Sequence, residues 1–162
     1  MTIDATHAIA RRGTIIGAAL LAAAFSASPA ASGAASAAVT VTPNAPPTAA
    51  ERAAAQRALA ADFHAVATAA HRRMTITVGH ADLNGDGRAD LIIVETDAYF
   101  CGSHGCSAYA LLATPHGYST HAIALAIFAA TITVLPGSHH FMHDLRFDDA
   151  THVFRWTGRA YR

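Results

Sequence analysis

The chain has 162 residues, 52% of them hydrophobic and 14% charged, which fits one compact domain and argues against a disordered or multidomain chain. Its formal net charge is +0 with histidine neutral, so nothing in the charge balance points to neutralising nucleic-acid phosphates. All eleven basic residues are Arg, and alanine is abundant; both read as a compositional bias rather than as chemistry.

At the start of the chain, Ala10-Arg11-Arg12 places positive charge directly before the apolar run 13–25. That run is too short to cross roughly 30 Å of hydrocarbon as a helix. Two small-x-small points follow, Ser28-Pro29-Ala30 and Ala35-Ser36-Ala37. The expectation is a secretory signal peptide over 1–37, the alternative being an N-terminal anchor that is retained. Arg11-Arg12 suggests a twin-arginine signal, but Ala10 and Thr14 stand where that motif needs other residues. Cys101 and Cys106 are the only cysteines, so a lipid-anchored cleavage product is not expected. The predicted address is periplasmic or secreted, with no stable membrane anchor after cleavage. From Ala38 onward nine arginines face ten acidic residues, and the remaining chain is long enough to bury one core.

Residues 38–48 mix Pro, Thr and Asn and read as a flexible linker. Thr48-Ala49-Ala50-Glu51 then forms a capping box that opens a helix over 49–70, with Leu59, Phe63 and Val66 on one stripe. After Arg72-Arg73 the period falls to two: Met74, Ile76 and Val78 share one face, Thr75 and Thr77 the other. The continuous apolar run 91–94 predicts a central strand buried on both faces. A third strand is expected over 107–113, followed by a turn at Thr114-Pro115-His116-Gly117. Further strands are expected over 121–127, 131–135, 143–147 and 152–156, the last turning at Thr157-Gly158 into Ala160-Tyr161. The predicted fold is a single α+β domain over 49–162, one N-terminal helix packed on an antiparallel sheet of about five to seven short strands.

The most specific motif is Asp82-Leu83-Asn84-Gly85-Asp86-Gly87-Arg88-Ala89-Asp90. Asp82, Asn84, Asp86 and Asp90 place hard oxygen donors at alternating positions, Arg88 offers its backbone carbonyl, and Gly87 allows the turn that brings them together. Calcium is the expected cofactor, in a structural role, because it accepts several oxygens in loose geometry whereas transition metals favour nitrogen or sulfur. The competing reading is a metal-free turn, since Asp, Asn and Gly are also turn chemistry. The first nine positions match an EF-hand loop, but the twelfth is Ile93 where that loop has Glu, and the following residues are strand. A loop of this form feeding a strand resembles the calcium loops of FG-GAP and VCBS-type repeats over 78–94. With one loop and no array, the resemblance implies a local ion-binding hairpin and not a propeller. The wider run through Cys101 to Trp156-Thr157-Gly158 is similar to small secreted proteins of Proteobacteria, which implies export.

Cys101 and Cys106 enclose Gly102-Ser103-His104-Gly105, and in an exported protein this spacing predicts a disulfide. A redox pair or thiolate metal site is the alternative. Eleven histidines include the group His139, His140 and His143, a second and weaker candidate for zinc or copper, with His104 as an extra ligand. No nucleophile elbow, zinc-protease motif or phosphate loop is present, Ser103 beside His104 is mere adjacency, and Asp144, Asp148 and Asp149 read as turn residues. Phe154, Trp156 and Tyr161 read as core aromatics of the terminal hairpin. The sequence predicts a non-enzymatic binding or accessory domain; it does not identify the partner, for which an extracytoplasmic protein is one candidate class and a nucleic acid is not expected. An inhibitor of a cell-wall hydrolase or an envelope-stress protein is the alternative, and a small hydrolase a more distant one.

Overall fold

A computed structural model describes residues 37–126 and 130–162; the predicted signal peptide lies outside the described residues except for Ala37. In chain order the elements are β1 (Val39–Val41), α1 (Ala49–Ala58), α2 (Ala60–Ala70), β2 (Thr77–Ala81), β3 (Asp90–Val94), β4 (Cys101–Gly102) and β5 (Gly105–Cys106). They continue with β6 (Ala108–Leu111), β7 (Ala113–Thr114), β8 (Gly117–Tyr118), β9 (Ile123–Ala124), β10 (Ile132–His139) and β11 (Met142–Phe147). The expected single helix on a single sheet is therefore incorrect. Among the described residues there are two short helices and four small sheets, in the orders β1-β10-β11, β2-β3-β6-β9, β4-β5 and β7-β8.

The capping box forms as the residues dictate: the Glu51 N–H donates to Thr48 Oγ1 at 3.3 Å and the Thr48 N–H to Glu51 Oε2 at 2.7 Å. The helix then breaks at Leu59, whose φ of −115° and ψ of 36° are not helical. Hydrogen bonding continues across the break, from Leu59 N–H to Ala55 O and from Phe63 N–H to Leu59 O, so the break is a bend. It carries Leu59 into the core at 5% exposure, and no Pro or Gly marks it in the sequence.

β3 is the wall between two apolar clusters, which explains its unbroken Leu-Ile-Ile-Val run. Leu91 and Ile93 join Ala54, Ala55, Val66 and Val78 on the helix side. Ile92 and Val94 join Ala110, Ile132, Val134 and Leu145 on the side of the β1-β10-β11 sheet. Two sheets and a helical layer thus stack around β3, and all of its residues are buried. The stretch read as a linker contributes β1, an edge strand paired with β10, and Ala45 bridges to Val78. This chain passes so closely over β2 that a Cβ on Gly79 would stand 2.8 Å from Val41 Cγ1 and 2.9 Å from Pro43 Cα.

The segment 152–156 forms no strand, only single bridges from Leu145 to Phe154 and from Trp156 to Tyr161. The turn after Thr157 is present, its N–H donating to Ala160 O at 3.0 Å. No described helix is long and apolar enough to cross a membrane.

Candidate metal centre

The loop 82–90 joins β2 to β3 and is organised by the carboxylate of Asp82. Asp82 Oδ1 accepts from the N–H groups of Asn84, Gly85 and Asp86 at 3.2, 2.7 and 3.3 Å, and Oδ2 from that of Gly87 at 2.8 Å. Wrapping the backbone round one side chain puts Gly85 at φ 73° and Gly87 at φ 81°, where a side chain would be strained. Asn84 Oδ1 accepts from the Asp86 N–H at 3.1 Å. Asp86 Oδ1 accepts from the Arg88 N–H at 2.9 Å, while Oδ2 accepts from Asn84 Nδ2 at 3.0 Å and Arg88 Nη2 at 2.7 Å. Asp90, at 0% exposure, closes the loop: its carboxylate accepts from the Leu83 N–H at 2.9 Å and from the Ala113 N–H at 2.6 Å.

The electrostatics differ along the loop. Burial raises the proton affinity of Asp90; its two N–H donors oppose this, and the charges of Asp86 and Asp82 add to it. The Arg88 N–H and the Asn84 amide hold Asp86 below the usual carboxylate range, with a smaller contribution from the Arg88 charge. The donor set suits a hard cation, being all oxygen, with a buried carboxylate repelled by two others. The oxygens nevertheless point to N–H groups, and among the described residues no three His, Cys, Asp or Glu side chains form a metal-binding group. For Asp86 to donate to a cation, the Arg88 guanidinium and the Asn84 amide must turn away from it.

His143 flanks this loop. Its N–H donates to Leu83 O at 2.7 Å, its Nε2 lies 3.5 Å from where a Cβ on Gly85 would stand, and its Nδ1 is buried without a partner. The histidine group does not converge. His143 pairs with Ser138 and His139 with Met142, adjacent positions of one ladder, so the two imidazoles leave opposite faces of the hairpin. His139 Nδ1 meets Asp144 Oδ1 at 2.6 Å, and His140 sits in the turn at φ 48°. His104 is exposed beside Ser103, with 3.1 Å between Nδ1 and Oγ.

The disulfide is present between Cys101 and Cys106, pinning the β4-β5 ladder within the connection from β3 to β6. Cys101 Sγ lies 3.3 Å from the Glu95 carbonyl oxygen. Glu95 and Asp97 stand beyond the far end of β3 from the loop and form a site not predicted from sequence. Glu95 extends the helix-facing row Leu91, Ile93, is 0% exposed, and has no N–H donor on either carboxyl oxygen. Burial, then the Asp62 carboxylate, both by its charge and as an acceptor for the protonated Glu95, and last the charge of Asp97, push it up to about 8. Asp97 goes the other way, to about 2, because both of its oxygens accept from the fork of Arg72 and one also from the Tyr99 N–H at 3.0 Å. The available sequence signal was the period of two, which puts residue 95 in phase with Leu91 and Ile93.

No protein-family profile, curated protein or solved structure matches the chain.

Proposed function

We propose that the chain is an exported, non-enzymatic binding or accessory domain in which the loop 82–90 holds one calcium ion as a clasp between β2 and β3. The observation that carries this reading is the placement of Asp90: a buried carboxylate at the root of β3, with Asp82 and Asp86 near enough to raise its proton affinity. A cation relieves that repulsion, and calcium supplies positive charge with tolerance for irregular oxygen coordination. Asp82, Asn84, Asp86 and Asp90 are its side-chain ligands and Arg88 contributes a carbonyl, as the likeness to FG-GAP and VCBS-type loops implies. Export is supported by the Arg11-Arg12 and 13–25 pattern and by the Cys101–Cys106 disulfide, a bond typical of oxidising compartments.

The test follows the amide signals of Gly85 and Gly87, both of which donate to the Asp82 carboxylate. Adding calcium should shift both signals saturably in the oxidised protein, and Asp86→Ala should abolish the shift. Signals that stay fixed at millimolar calcium would make the loop a turn and nothing more.

A further inference from the structure

Between α1, α2 and the segment leading into β2 lies an open cavity of about 360 Å³, within the range of small-molecule sites. Arg52 and Gln56 from α1, Phe63 from α2, and Arg72, Arg73 and Met74 line it. Three of the nine arginines that follow residue 37 therefore border a single cavity, in a chain of zero formal net charge. Two of them are fixed by the protein itself. Arg72 forks onto both oxygens of the buried Asp97, and Arg52 donates from Nη1 to the Met74 carbonyl at 3.3 Å.

The charges are unevenly matched. Asp97 balances Arg72, but among the described residues neither Arg52 nor Arg73 has a carboxylate within ion-pair distance. Arg52 is half-buried, so water compensates its charge incompletely. Beside it the half-buried Phe63 and the buried Met74 present apolar surface. Guanidinium groups recognise carboxylate and phosphate oxygens through charge-assisted paired hydrogen bonds, and an aromatic wall favours a planar apolar body.

We propose that this cavity binds a small organic oxyanion, a phosphate monoester or carboxylate carried on a planar apolar group. Arg52 and Arg73 pair with the anionic end, Phe63 packs on the apolar body, and Gln56 adds a neutral donor. Arg72 is the positioning residue: anchored on Asp97, it contributes shape to the cavity without leaving its partner.

The experiment is a calorimetric titration of the oxidised protein with phenyl phosphate, run in chelator so that its outcome is independent of the calcium loop. Benzyl alcohol and inorganic phosphate are the comparison probes. The expected result is saturable binding of phenyl phosphate with Kd below about 1 mM, and binding of inorganic phosphate and benzyl alcohol at least about tenfold weaker. Arg52→Ala and Arg73→Ala should each weaken phenyl phosphate severalfold or more, whereas Arg159→Ala, on the terminal hairpin, should leave it unchanged. Arg73 makes no ion pair, so its variant serves if Arg52→Ala fails to fold. Absence of saturable binding, equal affinity for benzyl alcohol, or equal weakening by Arg159→Ala would overturn the proposal.

Discussion

A carboxyl group inside a protein is tolerable when its oxygens are satisfied, and the two ends of β3 show both outcomes. Asp90 has an N–H donor on each oxygen, whereas Glu95 has none on either and faces the Asp62 carboxylate, although each is fully buried. The consequence for stability has a definite sign. Below pH 4.5, the ordinary value for the group, Glu95 is protonated in the folded and unfolded chain alike and adds no pH dependence. Between there and about 8 only the unfolded chain gives up its proton, so stability falls as pH rises, and above about 8 the loss is complete. The slope from this one group is at most about 1.4 kcal/mol per pH unit. Denaturant unfolding across that window should show the decline in the unaltered protein, and Glu95→Gln, neutral throughout, should flatten it. Parallel curves for the two proteins would contradict the assignment. At this scale the sequence was half legible: the period of two places residue 95 in the core row, but nothing local announces Asp62 from α2 beside it.

Elements were legible where the pattern is written in one segment. The capping box Thr48 to Glu51 forms as read, and Glu51 also reaches His80 on β2 at 2.7 Å, which ties α1 to the sheet. The apolar run after Asp90 gives the central strand. What escaped reading depends on distant partners: the bend at Leu59 serves burial rather than a local breaker, and β1 is a strand only because β10 lies alongside it. The same crossing fixes the role of Gly79. A methyl group in place of one of its Hα atoms fits only if Val41 and Pro43 move outward, and neither the strand pattern nor a turn requires glycine there. Gly79→Ala should therefore destabilise the protein by ~1–3 kcal/mol, the usual cost of overpacking, measured by urea unfolding. A change within ~0.5 kcal/mol would show that β1 can move aside easily and is not a firm part of the packing.

For the whole molecule, the division into four small sheets follows from how short the strands are. Among the described strands only β10 and β11 exceed five residues, and the connections at 101–106 and 113–118 fold into their own two-stranded ladders instead of extending the main sheet. Strand number alone could not reveal this, because a sequence pattern gives strand phase and not the choice of partner. What the stacking does provide is a fully buried β3, with the loop 82–90 at one end and the Glu95, Asp97 and Arg72 group at the other. A cation at the loop would act on that shared strand, so its binding should register in the stability of the whole domain. By linkage, calcium at about 100 times its Kd adds roughly 2.7 kcal/mol. The most direct measurement is thermal melting of the oxidised protein in millimolar calcium, in equal magnesium and in chelator. The proposal predicts a higher Tm in calcium alone, lost in Asp86→Ala; superimposable melting curves in all three conditions would contradict it.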